Sequence, residues 1–239
     1  MCVMNKDSST PLYQQIVDDI KQQITDGTLK EGDKLMTEQN LGEVYQVSRI
    51  TVRKAIEYLV DEGYVMKRQG IGTFVAKKKL NRKFSNKIMS FTETCQAEGK
   101  IPTSELISLE WTQANPKVAM YLQIEEGARV LKIVRVRKSD GDPVMLEETY
   151  FPSKYSYLSG ENLTGSIYEA LRKHGTVMAH AVKTIGICYA TNAEAEYLHV
   201  SSGQALLFHK EQVFDPEGEP IHYSQIIVDP ERYKLTLFV

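Results

Sequence analysis

Cysteine is scarce and poorly placed for chemistry. The chain of 239 residues has three, Cys2, Cys95 and Cys188, an odd number at wide spacing. Such a set builds neither a disulfide framework nor a paired-thiolate metal site, so all three are read as reduced thiols. Long apolar runs are missing as well: no stretch approaches the roughly 18 uninterrupted apolar residues of a membrane helix. The opening MCVMNKDSSTP has no apolar core of the length that secretion requires. A cytoplasmic protein with no membrane partner is expected. Also lacking are a phosphate-binding glycine loop and the HExxH and GxSxG patterns, and the five histidines, His174, His180, His199, His209 and His222, share no motif spacing. No enzyme, cofactor or metal is expected.

What is present is an ordinary globular composition, 42% hydrophobic and 25% charged, in a chain long enough for two domains. The net charge of −2 conceals an uneven distribution. Residues 1–46 carry 4 basic and 8 acidic side chains, residues 47–83 carry 10 and 3, and residues 84–239 carry 15 and 20. A block of net +7 between acidic flanks is the electrostatic footprint of a polyanion partner once a fold organises it.

Leu12, Ile16, Ile20 and Ile24 recur every fourth residue after Thr10, read as a cap, and Pro11, which predicts an amphipathic helix ending at Gly27. Thr37 is placed as the N-cap of a short second helix in which Leu41, Val44 and Tyr45 face inward. From Ser48, the spacing Val52, Ile56, Leu59, Val60 marks a third helix that stops at Gly63. Two short helices joined by a tight turn, the second of them basic, form a helix-turn-helix. The stretch YVMKRQGIGTFVAKKK then reads as a hairpin wing turning at Gln69 to Gly72. Residues 77–87, with six cations and few apolar groups, read as a linker.

Residues 115–152 and 192–230 share the order helix, glycine, strand, turn, strand, with Leu122/Leu198, Gly127/Gly203 and Pro143/Pro220 in register within one residue. Each copy is a helix plus a hairpin, which predicts an antiparallel sheet with helices on one face and a pseudo-twofold layout, an α+β domain. The expected domains are 1–76 for DNA binding, 77–90 as linker and 91–239 for an effector.

The third helix carries the first chemical signal. Its N-terminal turn offers Ser48, Arg49, Ile50, Thr51, Arg53 and Lys54 on the side that Val52 and Ile56 avoid. Arginine binds guanine through two hydrogen bonds in the major groove, and threonine contacts a base or a phosphate. On the wing, Lys67 and Arg68 supply charge and Gly70 and Gly72 allow close approach. A solvated charged face or a protein-docking helix-turn-helix are the competing readings; the lysines of the wing disfavour docking, because protein interfaces deplete lysine. The second signal is the strand 130–137. Alternation places Leu131, Ile133, Arg135 and Arg137 on one face. Two arginines on a mostly apolar strand need anionic partners: Glu147 or Glu148 on the paired strand, or the phosphate or carboxylate of a ligand.

PLYQQIVDDIKQQI, KLMTEQNLGEVYQVSRITVRKAIEYLVDEGYVMKRQGIGTFV and IVRVRKSDGDPVMLEETYFP resemble the GntR superfamily of bacterial transcriptional regulators, and its HutC subfamily in particular, over nearly the whole chain. The resemblance implies a winged helix-turn-helix joined to an antiparallel-sheet UTRA effector domain of chorismate-lyase-like fold. It also implies a homodimer on a palindromic DNA operator, most often a repressor controlled by a small anionic metabolite such as a phosphorylated sugar. Relatives of this kind read S-E-R in the second helix where this chain has Thr37-Glu38-Gln39; Thr37 and Gln39 join the DNA-facing candidates, with glutamine preferring adenine. Glu38 is assigned to the helix macrodipole. By the same similarity Phe91, Thr92, Arg135, Arg137, Ser166 and Tyr168 are candidates for the phosphate end of the effector. Glu147 would accept from a hydroxyl, and His222 and Tyr223 would add a further polar contact.

Overall fold

Helix α1 (Leu12–Thr25) buries Ile16, Val17 and Ile20, the stripe that its spacing predicted. Its N-cap is Pro11, with no side-chain cap bond, rather than Thr10; proline at this boundary presets φ near the helical value. The computed structural model in which these elements are seen describes residues 10–76, 79–84 and 88–237. The opening segment read for secretion and Cys2 lie outside the described residues. The chain divides into two units, Met1–Lys79 and Leu80–Val239.

In the first unit, Thr37 caps α2 (Glu38–Tyr45) by accepting the Asn40 N–H at 3.2 Å, and Ser48 caps α3 (Arg49–Asp61) by accepting that of Thr51 at 3.2 Å. The intervening turn is tight. Gln46 adopts the left-handed conformation at φ 53°, and a Cβ on Gly42 would stand 3.2 Å from the Val47 carbonyl oxygen. Only a small residue at 42 lets the two helices meet so closely. Leu41 and Tyr45 of α2 join Val52, Ile56 and Leu59 of α3 and the α1 stripe in one core. The wing follows as β1 (Val65–Arg68) paired antiparallel with β2 (Gly72–Val75), and Lys34 bridges to Phe74 on the other edge of β2.

The second unit opens with a strand in the segment expected to be linker. β3 (Leu80–Phe84) pairs in parallel with β10 (Tyr233–Leu237) at the other end of the unit. Cation-rich composition hid it, because its partner lies some 150 residues away and no local pattern announces such a pairing; the remainder of 77–87 lies outside the described residues. Then come α4 (Phe91–Ala97), β4 (Pro102–Gln113), α5 (Pro116–Leu122), β5 (Arg129–Ser139), β6 (Asp142–Pro152), a 3₁₀ segment (Ser153–Gly160), α6 (Ile167–Lys173), β7 (His180–Tyr189), α7 (Asn192–Leu198), β8 (Ala205–Phe214) and β9 (Pro220–Val228). Strands β4 to β9 form one antiparallel sheet in the order β4-β5-β6-β9-β8-β7.

The internal repeat is present in three dimensions. β6 and β9 meet at the centre of the sheet, and α5 and α7 carry matching ends: N-caps Asn115 and Thr191, and left-handed C-caps Gln123 at φ 55° and His199 at φ 52°. Both pairs are offset by 76 residues, the offset at which Leu122 and Leu198 coincide. The helices are not confined to one face, however. α5 packs with Val130, Tyr150 and Tyr223, and α7 with Leu146 and Ile227, whereas the 3₁₀ segment, α6 and α4 pack with Leu131, Ile133, Phe151, Met145 and Ile226. Neighbouring strand residues alternate between faces, so these two sets lie on opposite sides of the sheet. The repeat helices cover one side; α4, which precedes the first repeat, and the 3₁₀ segment and α6, inserted between the repeats, cover the other and create the pocket described below.

Candidate functional site

The first unit presents a polar face on α3. Val52, Ala55, Ile56 and Leu59 are buried, and Arg49, Ile50, Arg53 and Lys54 are exposed. Charge runs backwards along this helix: Arg49, Arg53 and Lys54 crowd its N-terminal half, while Glu57 and Asp61 occupy the other. The macrodipole favours the opposite arrangement at both ends, by about 0.3–1 kcal/mol per charge. Sequence features that oppose local stability are expected where function requires them. The charged and hydroxyl side chains among the α3 candidates have polar or aromatic neighbours. Arg49 donates to Gln39 Oε1, Arg53 and Lys67 reach Glu38 at 3.4 and 3.7 Å, and Ser48 Oγ lies 2.9 Å from Thr51 Oγ1. Glu38 therefore holds two cations in addition to sitting in the first turn of α2. Lys54 lies over the Tyr13 ring at 4.1 Å and Arg68 over Phe74 at 5.1 Å. At the wing tip Gly70 and Gly72 have φ of 72° and 140°, conformations that side chains resist. Gly70 has open space around it, and a Cβ on Gly72 would meet the Lys34 side chain.

The second unit holds a pocket between β5, β6, β8 and β9 on one side and the starts of α4 and α6 on the other. Its lining includes Ser90, Phe91, Arg135, Arg137, Glu147, Ser166, Tyr168 and Glu211. The β5 alternation read from the sequence is correct: Arg135 and Arg137 share this face and are 3% and 2% exposed. Arg135 donates to Glu147 Oε2 at 2.6 Å, directly across the strand pair, and to the carbonyl oxygens of Leu163 and Gly165. Of the two carboxylates considered, Glu147 is the partner; Glu148, on the other face, pairs with Lys132 at 2.9 Å. Arg137 has no carboxylate within ion-pair distance among the described residues. It donates to Thr92 Oγ1 at 3.1 Å and to the Gly165 carbonyl at 3.5 Å, and Phe91 stacks on its guanidinium at 4.8 Å. The Nε of each arginine is buried without a hydrogen-bond acceptor.

These surroundings fix the charge states. Burial, reinforced by the neighbouring Arg135 charge, lowers the Arg137 guanidinium to about 10, still protonated at neutral pH. Burial alone would raise the Glu147 carboxyl, yet Arg135 and Arg137 outweigh it and hold the group below its ordinary range. His222, 3% exposed, is pushed down to about 4 by burial, so its ring is neutral. It meets the Tyr168 hydroxyl at 3.2 Å through Nε2 and Ser224 Oγ at 3.1 Å through Nδ1. Tyr168 also donates to Glu211 Oε1 at 3.3 Å, and Lys183 neutralises Glu211 at 2.6 Å. Counting Arg135, Arg137 and Glu147, with Glu211 and Lys183 cancelling and His222 uncharged, the pocket keeps one positive charge unanswered.

Eight of the nine effector candidates gather here. Tyr223 does not: strand parity turns it to the opposite face, where it is fully buried and stacks on Tyr121 at 4.2 Å. Ser166 caps α6 by accepting the Glu169 N–H at 3.2 Å and lines the pocket as well. Ser90 closes a reciprocal capping box with Glu93, which fixes the start of α4 and thereby Phe91 and Thr92. The Glu211–Lys183 pair was not among the candidates; the 76-residue repeat offset, which sets Glu211 opposite Arg135, was the signal that could have found it. Among the thiols, Cys95 is buried and raised to about 11 by burial, and no metal-binding cluster of His, Cys, Asp or Glu occurs among the described residues.

A winged helix-turn-helix followed by an α+β unit with a charged pocket defines a ligand-responsive DNA-binding regulator. The chain belongs to the gntR family of bacterial regulatory proteins: residues 12–75 match that family and residues 97–234 match the UTRA domain. It is 29% identical to the HTH-type transcriptional repressor NagR of Bacillus subtilis (strain 168), over 96% of this chain and 95% of that one. It is 31% identical to the mannosyl-D-glycerate transport/metabolism system repressor MngR of Escherichia coli (strain K12), over 95% of each. The crystal structure of PhnF from Mycobacterium smegmatis superposes with a TM-score of 0.76 at 25% identity, over 95% of this chain and 98% of that one. Members of this family bind operator DNA through the helix-turn-helix and a small-molecule effector through the UTRA domain. The chain is a transcriptional regulator and not an enzyme, and no described helix is long and apolar enough to cross a membrane.

Proposed function

We propose that this protein is a homodimeric, cytoplasmic repressor of a palindromic operator, released or tightened by a phosphorylated sugar that binds between Arg135, Arg137 and the starts of α4 and α6. One observation carries the effector reading: Arg137 is buried with its charge intact and, among the described residues, no carboxylate comes within ion-pair distance of it. Burying an unpaired charge is expensive, and a dianionic phosphate answers it while accepting the two unused Nε–H groups. The sugar assignment draws on the hydroxyl-matching groups across the pocket, Glu147, Tyr168 and the neutral His222. It draws also on the name of MngR, which ties that relative to a sugar conjugate.

The free pocket is small, about 30 Å³, room for one or two water molecules. A sugar phosphate exceeds that space, and in the proposed mechanism the lining opens as it binds, so that occupancy and conformation become one event. Differential affinity of this kind shifts the population of DNA-binding arrangements, and a coupling of about 1–3 kcal/mol suffices for regulation.

The test is a fluorescence-anisotropy titration of operator DNA with and without hexose 6-phosphates and their unphosphorylated parents. At least one phosphorylated sugar should shift the operator Kd, by about 5- to 150-fold for such a coupling. Arg137→Met should abolish the shift while leaving the unliganded Kd within a factor of two. An effector response that survives Arg137→Met undiminished would disprove the assignment of the site.

A further inference from the structure

Ile50 is 81% exposed, the most exposed large apolar side chain among the described residues. It stands in the first turn of α3 between Arg49 and Arg53, on the side opposite Val52, Ala55, Ile56 and Leu59. A β-branched residue there gains little from helix propensity, and no burial accounts for it. The acidic residues of the same exposed strip, Glu57 and Asp61, lie two and three turns further on, so only the N-terminal turn is electrostatically fit to face a nucleic acid. Within that turn the hydroxyls of Ser48 and Thr51 are bonded to each other and to the helix cap. Arg49 and Arg53 are likewise bonded, to Gln39 and Glu38, which leaves Ile50 as the exposed apolar group of this turn.

In the major groove, bases display hydrogen-bonding edges and a single apolar group, the C5-methyl of thymine. We infer that Ile50 is a specificity-determining residue that packs on a thymine methyl in each operator half-site, next to the bases that Arg49 and Arg53 contact. This rests on the operator-binding reading above and adds the base chemistry that Ile50 selects. Charge around it positions the helix on phosphates; the isoleucine contributes discrimination and little to nonspecific affinity.

The experiment uses the full chain. Its preferred sequence is selected from a random duplex pool, each thymine is replaced singly by deoxyuridine, and affinities are read by anisotropy for wild type, Ile50→Val and Ile50→Ala. Removing one buried methyl should weaken wild-type binding about fourfold at one thymine per half-site. Ile50→Ala should bind the thymine operator at least that much more weakly, show no uracil penalty at that position and keep the wild-type penalties elsewhere; Ile50→Val should fall between. An unchanged thermal melting curve is expected, since the side chain touches no core. The inference is overturned if Ile50→Ala keeps every uracil penalty of the wild type, or if the wild type shows none, while sequence-selective binding persists. Failure of the wild type to enrich any sequence from the pool would instead remove the operator-binding reading, and this inference with it.

Discussion

Glu147 sits between two buried guanidiniums and pairs with only one of them. Replacing it by glutamine leaves both charges without a counter-ion inside the protein, a loss of about 3–5 kcal/mol for a broken buried pair. Because oxyanions suit the same geometry, Glu147→Gln should melt at a markedly higher temperature in phosphate or sulfate than in chloride of equal ionic strength, and wild type should show a smaller difference. His222 makes a second expectation. Its ring is held near 4 against 6.5 in a free chain, so the unfolded state takes up the proton first as pH falls. Stability contributed by the neutral ring is complete above 6.5 and is lost between 6.5 and 4, by about 3 kcal/mol. Glu211, Glu147, Lys183 and Arg135 face it and partly offset one another. Urea unfolding across this interval should show that slope in wild type and a flatter one in His222→Gln; equal slopes would rule out His222 as its source. Which residues reach the pocket was legible wherever strand parity and charge pointed the same way, as for Arg135 and Arg137. Tyr223 was misplaced because it stands one position from His222, and a shift of one residue reverses the face. Lys183 gave no local sign of its role, since its partner Glu211 lies on another strand.

Element by element, the helices announced themselves through fourfold apolar spacing and through caps at Thr37, Ser48 and Ser166. Strands outside the repeated units were harder. β4 and β7 flank the repeat and show mixed burial, and β3 is built from residues that look like a linker. The paired left-handed caps make the repeat testable. Gln123 and His199 hold φ near 50° at the cost that every non-glycine residue bears there. Gln123→Gly and His199→Gly should each stabilise the protein by about 0.5–1 kcal/mol in urea titrations, and additively, because they end different helices. Removing the α3 cap, Ser48→Ala, should destabilise by about 1 kcal/mol.

At the scale of the molecule, two units divide recognition between them. In the proposed complex the basic wing supplies affinity independent of sequence, so Lys67→Ala should weaken binding to all duplexes alike and reduce the slope of log K against log salt by about 0.9 for a lost phosphate contact. Arg49→Ala and Arg53→Ala should instead flatten the preference among sequences. The two domains were visible in the charge distribution and in the repeat, whereas the border was not: the second unit begins with the strand that its own last strand pairs with. That pairing has a practical outcome. A hydrogen-bonded clasp joins the first and last strands of the second unit, so cutting the chain at 232 would untether β3 from the rest of that unit. A protein shortened in this way also loses Tyr233, buried in one cluster with Phe91, Met145 and Ile226 of the pocket lining, so effector binding and the operator response should weaken together.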